Sequence, residues 1–250
     1  MIDKDMARRV FSCIDNTTLN ATDNNKSVEA FCRRTMEMRL ADGTTVAAVC
    51  VYPMFVDIAK RTLEGSGIKV ASVAGAFPHG QLPLNLRVDE VRRVIEDGAD
   101  EVDIVINRGL LLAGEYNVVC DEVSEMKAAC KGRTLKVILE TGELSPLLIR
   151  RAAQRAIDGG ADFIKTSTGK ISTGATPEAA EMMLNVVNEN VKFNKKTVGF
   201  KAAGGIRTPE EALVYAEMAK KIVGNNFINN QTFRIGASRL TESLYSLLTF

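Results

Sequence analysis

The sequence predicts an α/β protein folded as a single (β/α)8 barrel with an extra N-terminal helix, and it predicts one domain over residues 1–250. Three observations carry this. Short apolar runs of strand length alternate with longer amphipathic stretches along the chain, eight times over. No Pro/Ser-rich linker or low-complexity segment divides them. The competing arrangement is an open doubly wound sheet, but no GxGxxG follows the first strand.

Taken in order, residues 3–11 predict a short helix and Cys13–Leu19 a first strand. The spacing of Val28, Phe31 and Cys32 predicts a helix over 23–38, and Val46–Val51 reads as a buried strand. Pro53 suits the first turn of a helix running to Glu64, which Gly65 and Gly67 stop. Lys69–Ala76 is the third strand, and Phe77-Pro78-His79-Gly80 is a turn. Leu84, Val88, Val91 and Ile95 line one face of a helix that ends at Gly98. Strands over 101–107, 135–140 and 162–166 then alternate with helices over 116–131 and 145–157. Thr176-Pro177-Glu178 and Thr208-Pro209-Glu210-Glu211 each open a helix with a cap and an N1 proline, flanking a strand over 197–202. The Asn-rich segment 224–231 reads as a surface connection. Phe233-Arg234-Ile235-Gly236 leads into a last helix from Ser238.

Composition narrows the function. Of 250 residues, 46% are hydrophobic and 25% charged, as in an ordinary soluble globular protein. Lys+Arg 32 against Asp+Glu 31 leaves a net charge of +1, without the basic surplus that attracts nucleic acid or anionic membrane. The five cysteines have no CxxC or Cys/His spacing, so neither a disulfide framework nor a metal site is expected. A cytoplasmic location fits that usage. The acidic start lacks the pattern of a signal peptide, and no uncharged apolar stretch reaches the ~18 residues that span a bilayer.

Strand alternation sends residues two apart to the same side. With Val102, Ile104 and Ile106 facing the helices, Asp103 points into the barrel. The same parity turns Lys136 and Glu140, Lys165, and Lys201 inward from the following strands. Such a cluster must be paired to survive desolvation. It reads either as a buried ion-pair network or as a site in which Lys165, its pKa lowered by burial and by Lys201, is a nucleophilic amine and Asp103 moves protons. Glycines and cations after the last three strands, Gly169-Lys170, Gly204-Gly205-Ile206-Arg207 and Gly236-Ala237-Ser238, suggest a phosphate grip.

These residues resemble the deoxyribose-phosphate aldolases, a family of class I, Schiff-base-forming aldolases. The resemblance runs through Asp15-Asn16-Thr17-Thr18-Leu19-Asn20, Phe77-Pro78-His79-Gly80, Asp100-Glu101-Val102-Asp103, Lys136 to Leu144, Phe163 to Lys170, and Val198 to Arg207. It implies reversible cleavage of 2-deoxy-D-ribose 5-phosphate to acetaldehyde and D-glyceraldehyde 3-phosphate, without metal or cofactor, in a homodimer. It implies Lys165 as the Schiff-base lysine, Lys201 as the lysine that lowers its pKa, Asp103 as the proton-transfer acid, and Lys136 and Asp15 as polar partners. Gly169, Lys170, Gly204, Gly205, Arg207, Gly236 and Ser238 match the phosphate-binding loops. Cys50 matches a site-proximal cysteine that aldehydes modify in some relatives.

Three departures from the family stand out. The sequence ends in Phe250 where relatives often carry a tyrosine that assists proton transfer. Ala202 replaces a common proline, and Arg239 follows Ser238 where a second serine is common. His79, the sole histidine, reads as a turn residue. Two other readings stay open: a different Schiff-base sugar-phosphate enzyme, and a catalytically silent phosphosugar-binding protein.

Overall fold

The computed structural model describes residues 2–194 and 197–249. Helix α1 (Lys4–Phe11) precedes strand β1 (Ile14–Thr17). There follow α2 (Asn25–Glu37), β2 (Ala48–Val51), α3 (Val56–Thr62), β3 (Lys69–Ala74), α4 (Leu84–Glu96) and β4 (Glu101–Val105). Then come α5 (Arg108–Leu112), α6 (Tyr116–Ala129), β5 (Thr134–Ile138), α7 (Pro146–Asp158), β6 (Phe163–Lys165) and α8 (Pro177–Asn194). The chain continues through β7 (Gly199–Ala203), α9 (Pro209–Ile222), β8 (Phe233–Ala237) and α10 (Leu240–Thr249). The strands pair in sequence order, all parallel, and β1 closes on β8, so the expected (β/α)8 barrel with its additional first helix is what forms.

Local chemistry explains the helices. In α7, Ser145 accepts from the Leu148 N–H as N-cap and Pro146 fills the first turn. Ile149, Ala152, Ala153, Ala156 and Ile157 then bury one face at helical spacing. Helix α9 opens on a reciprocal cap between Thr208 and Glu211. Helix α2 does the same with Asn24 and Ser27, so its start depends on an amide cap rather than on the acidic residue at 23.

Several expected boundaries move. The strands are shorter than the runs expected from sequence. Ala76 (φ 63°) and Glu140 (φ 59°) adopt left-handed backbone and lie beyond β3 and β5. Asn107 ends its run by capping α5, a helix that the sequence reading leaves out, through the Leu110 N–H. Pro53 opens a 3₁₀ turn before α3. The Asn-rich segment is a surface connection at Asn225, Asn226, Asn230 and Gln231, as expected, but it is anchored at its centre. Phe227 and Ile228 are buried, and the Arg9 guanidinium on α1 donates to the Ile228 carbonyl at 2.8 Å.

Most of the core lies between the strands' outer faces and the helices. The barrel interior is divided. β2 and β3 contribute small apolar groups, Ala48, Cys50, Ala71 and Val73, whereas β1 and β4 to β8 contribute charged ones. A separate buried charge pair braces the outer layer: Arg87 donates to Glu122 at 2.7 Å, to the Val105 carbonyl at 3.0 Å and to the Gly75 carbonyl at 3.2 Å. It ties α4 to α6 and to the exits of β3 and β4. Arg87→Met leaves Glu122 buried without its partner, and we expect it to lower stability by about 3–5 kcal/mol in a urea titration. A wild-type midpoint would mean that the pair contributes nothing to holding the helices.

Candidate active site

The register brings four inward side chains together. Asp103 lies opposite Lys136 across β4 and β5, and Lys165 lies opposite Lys201 across β6 and β7. One oxygen of Asp103 accepts from both Lys165 and Lys201 at 2.8 Å, and the other accepts from Lys136 at 2.9 Å. Asp15 on β1 accepts from Lys201 and lies 3.2 Å from Lys136. Asp103, Lys136, Lys165 and Lys201, assigned to the cluster from strand parity, therefore meet in the folded chain, and Asp15 joins them.

Two members were missed. Glu101 lies 2.7 Å from the Lys136 ammonium and takes a two-pronged contact from Arg234, at 2.7 and 2.9 Å. Arg234 also donates to Asp15. Glu101 shares its parity with Asp103, and Arg234 stands alternate to Phe233 and Ile235, so the signal was present in the strand pattern. Glu140 behaves differently from the expected inward neighbour of Lys136. Its left-handed backbone carries the carboxylate above the strands, where it accepts from the Thr168 N–H at 3.1 Å and from Arg108 at 3.3 Å.

The electrostatics separate the three lysines. Burial disfavours the charge of Lys136 and Lys201, but Asp103 and Asp15 outweigh it and hold both above the ordinary lysine range. For Lys165, burial pulls the ammonium below that range. Asp103 opposes the shift and Lys201 adds to it. The carboxylates move the other way: burial works against their charge, yet the surrounding cations hold Asp15 and Asp103 below the usual carboxylate range and Glu101 down at about 2. Burial pushes the Cys50 thiol up to about 11, with Asp103 adding to the effect. Among the described residues, no three His, Cys, Asp or Glu side chains are grouped to hold a metal ion.

Above the cluster lies a cleft of about 360 Å³. Lys165 lines it, as do all the loop residues expected to grip a phosphate: Gly169, Lys170, Gly204, Gly205, Arg207, Gly236 and Ser238. Arg239 lines it as well. The loops after β6 and β7 are seated on each other. Gly204 has φ +90°, and a Cβ at Gly174 would lie 2.2 Å from the Gly204 carbonyl oxygen. Lys170 donates to the Leu19 carbonyl and sits over the Tyr52 ring, 5.8 Å from its centre. Gly236 has a second duty in the strand itself: a Cβ there would stand 3.0 Å from the Lys201 Cε. His79 is exposed in its turn, outside the cleft lining. Phe250 lies outside the described residues.

Residues 9–240 match the family described as DeoC/LacD family aldolase. Among solved structures, an aldolase designated QR15 is 31% identical, with 99% of this chain and 97% of that one covered at a TM-score of 0.79. A Coccidioides immitis protein bearing the provisional name deoxyribose-phosphate aldolase is 28% identical over 96% of this chain and 86% of its own, with a TM-score of 0.84. The deoxyribose phosphate aldolase of Aeropyrum pernix, described as having a unique tetrameric structure, is 27% identical over 98% and 92%, with a TM-score of 0.76. With the match running from α1 into α10 on a closed parallel barrel, the chain belongs to the DeoC/LacD aldolase family.

Proposed function

We propose that this aldolase reversibly cleaves 2-deoxy-D-ribose 5-phosphate to acetaldehyde and D-glyceraldehyde 3-phosphate through a Schiff base on Lys165, as a step of deoxyribonucleotide catabolism. The observation that carries the reading is that Lys165, whose Nζ donates to Asp103, shares one cleft with three cation- and glycine-bearing loops. An amine depressed by burial retains a neutral fraction that attacks carbonyls.

The sequence of bonds follows from that amine. Lys165 adds to the aldehyde carbon of the open-chain sugar, and loss of water leaves an iminium. A base then takes the proton of the hydroxyl two carbons away. The intervening carbon–carbon bond breaks, its electrons are held as an enamine, and glyceraldehyde 3-phosphate departs. Protonation of the enamine carbon and attack of water return acetaldehyde and the free amine. We assign the proton transfers to Asp103, directly or through one water, with Lys201 favouring the neutral form of Lys165 and Lys136 and Asp15 orienting Asp103. No cofactor is needed for these steps. Gly169, Lys170, Gly204, Gly205, Arg207, Gly236 and Ser238 are assigned to the phosphate, held by backbone N–H groups and by the two cations.

The remaining assignments follow the same reading. We place the enzyme in the cytoplasm, in keeping with five free cysteines. No helix among the described residues is long and apolar enough to cross a membrane. We propose that residues 1–250 act as one domain. A homodimer is the proposed assembly, to be weighed against the tetramer of the Aeropyrum pernix relative.

Borohydride added with acetaldehyde should leave an ethyl group on Lys165 in peptide mass mapping. Lys165→Ala should lower turnover by about 10⁴-fold or more, as loss of a covalent nucleophile does. Active protein with an unmodified Lys165 would sink the assignment. Arg207→Ala should cost about 10- to 100-fold in kcat/KM for the phosphorylated sugar, the worth of a hydrogen bond to a charged group, and little for unphosphorylated 2-deoxyribose. Equal losses on both substrates would remove Arg207 from the phosphate site.

A further inference from the structure

The cluster beneath the cleft holds an uneven set of charges. Among the described residues its members are the carboxylates Asp15, Glu101 and Asp103 and the cations Lys136, Lys165, Lys201 and Arg234. Lys165 is the cation that balance leaves over, and it is the member that lines the cleft. Loss of one proton makes these seven groups neutral, and Lys165, paired with a single carboxylate, is the lysine placed to give it up. That outcome depends on the far end of the cluster, where the paired Glu101 and Arg234 face each other.

We propose that Glu101 and Arg234 are positioning residues that govern whether Lys165 holds its proton, acting through Lys136, Asp15 and Asp103 without touching substrate. The proposal rests on Lys165 being the nucleophile. Glu101 binds Lys136 at 2.7 Å, and Lys136 in turn binds Asp103, whose other oxygen holds Lys165. Arg234 reaches the same point from the opposite side through Asp15, which binds Lys201 and so reaches Asp103. Removing a negative charge at 101 makes the cationic amine less favourable. Removing a positive charge at 234 makes it more favourable.

The charged and titratable groups around Lys165 come from every side of the barrel. They are Asp15 on β1, Cys50 on β2, Glu101 and Asp103 on β4, Lys136 on β5, Lys201 on β7 and Arg234 on β8. Lys69, at the start of β3, touches the cluster from its outer end, 3.0 Å from Glu101. Glu140 is engaged by Thr168 and Arg108 above the strands. Lys170, Arg207 and Arg239 line the same cleft as Lys165. Apart from Glu101 and Arg234 themselves, none of these is altered in charge by the two substitutions except through the network.

The experiment measures Lys165 directly, by the pH dependence of its acetylation with acetic anhydride under competitive labelling, alongside the acid limb of kcat/KM. Neutral amine reacts, so both rise with pH through the Lys165 titration. Glu101→Gln should move the midpoint down by about one pH unit and Arg234→Gln should move it up by about as much. The double variant should return toward wild type, and Arg234→Lys, which keeps the charge, should leave the midpoint in place even where kcat falls. If Arg234→Gln does not fold, Glu101→Gln against Arg234→Lys gives the same contrast, with only the first shifting. Midpoints that stay fixed, or move the same way in both single variants, would overturn the proposal and leave a purely structural salt bridge. Lys165 that labels normally but forms no imine with acetaldehyde would instead overturn the reaction assigned above.

Discussion

One carboxylate holds the centre of this protein. Asp103, fully buried, accepts from three ammonium groups on three other strands, and those strands can bring lysines inward because it is there. An unpaired buried ammonium costs several kcal/mol, so each lysine depends on the carboxylate and the carboxylate depends on them. Asp15 and Glu101 extend the same mutual dependence to β8 through Arg234. The barrel's interior is thus closed by ions over much of its circumference and by small apolar groups only across β2 and β3.

That division has consequences for chemistry. Ala48, Cys50, Ala71 and Val73 form a low-dielectric wall beside the ions, which removes water and strengthens every charge–charge interaction next to it. Under those conditions small differences in partner number decide protonation. Lys136 and Lys201 each contact two or more carboxylates and stay charged. Lys165 pairs with only one carboxylate, Asp103, among the described residues, and it alone of the three is pulled toward the neutral amine. The lysine with the fewest partners is also the one that meets the cleft.

The cleft itself is built from loops whose backbones touch. Gly174 and Gly204 leave no space for a side chain between them, and the Ala175 N–H bonds the Gly204 carbonyl at 3.0 Å, so the segments after β6 and β7 form one continuous rim. Gly236 shows how tightly rim and floor are connected: it lines the cleft, and its missing Cβ makes room for Lys201. For the reaction proposed above, which needs an anion held at one place and an imine at another, such fixed spacing is an advantage, because misplacement by a fraction of an ångström weakens both.

Sequence alone determined the strand–helix alternation, and through the two-residue period of strands it determined which of Asp103, Lys136, Lys165 and Lys201 face inward. Both are local properties, carried by side-chain spacing and by caps such as Ser145-Pro146 and Thr208-Pro209. The same period held the signal for Glu101 and Arg234, but they lie 133 residues apart and only barrel closure makes them partners. Boundaries were less legible where a single backbone angle intervenes: nothing in the apolar run to Glu140 announces the left-handed turn that lifts its carboxylate away from the lysines. Likewise Phe227 and Ile228 sit in an Asn-rich stretch that reads as solvent-facing until α1 packs Arg9 against it. Tertiary structure decided which charges pair and which lysine is left over, because pairing depends on register and distance across strands, and these arise only when β1 meets β8.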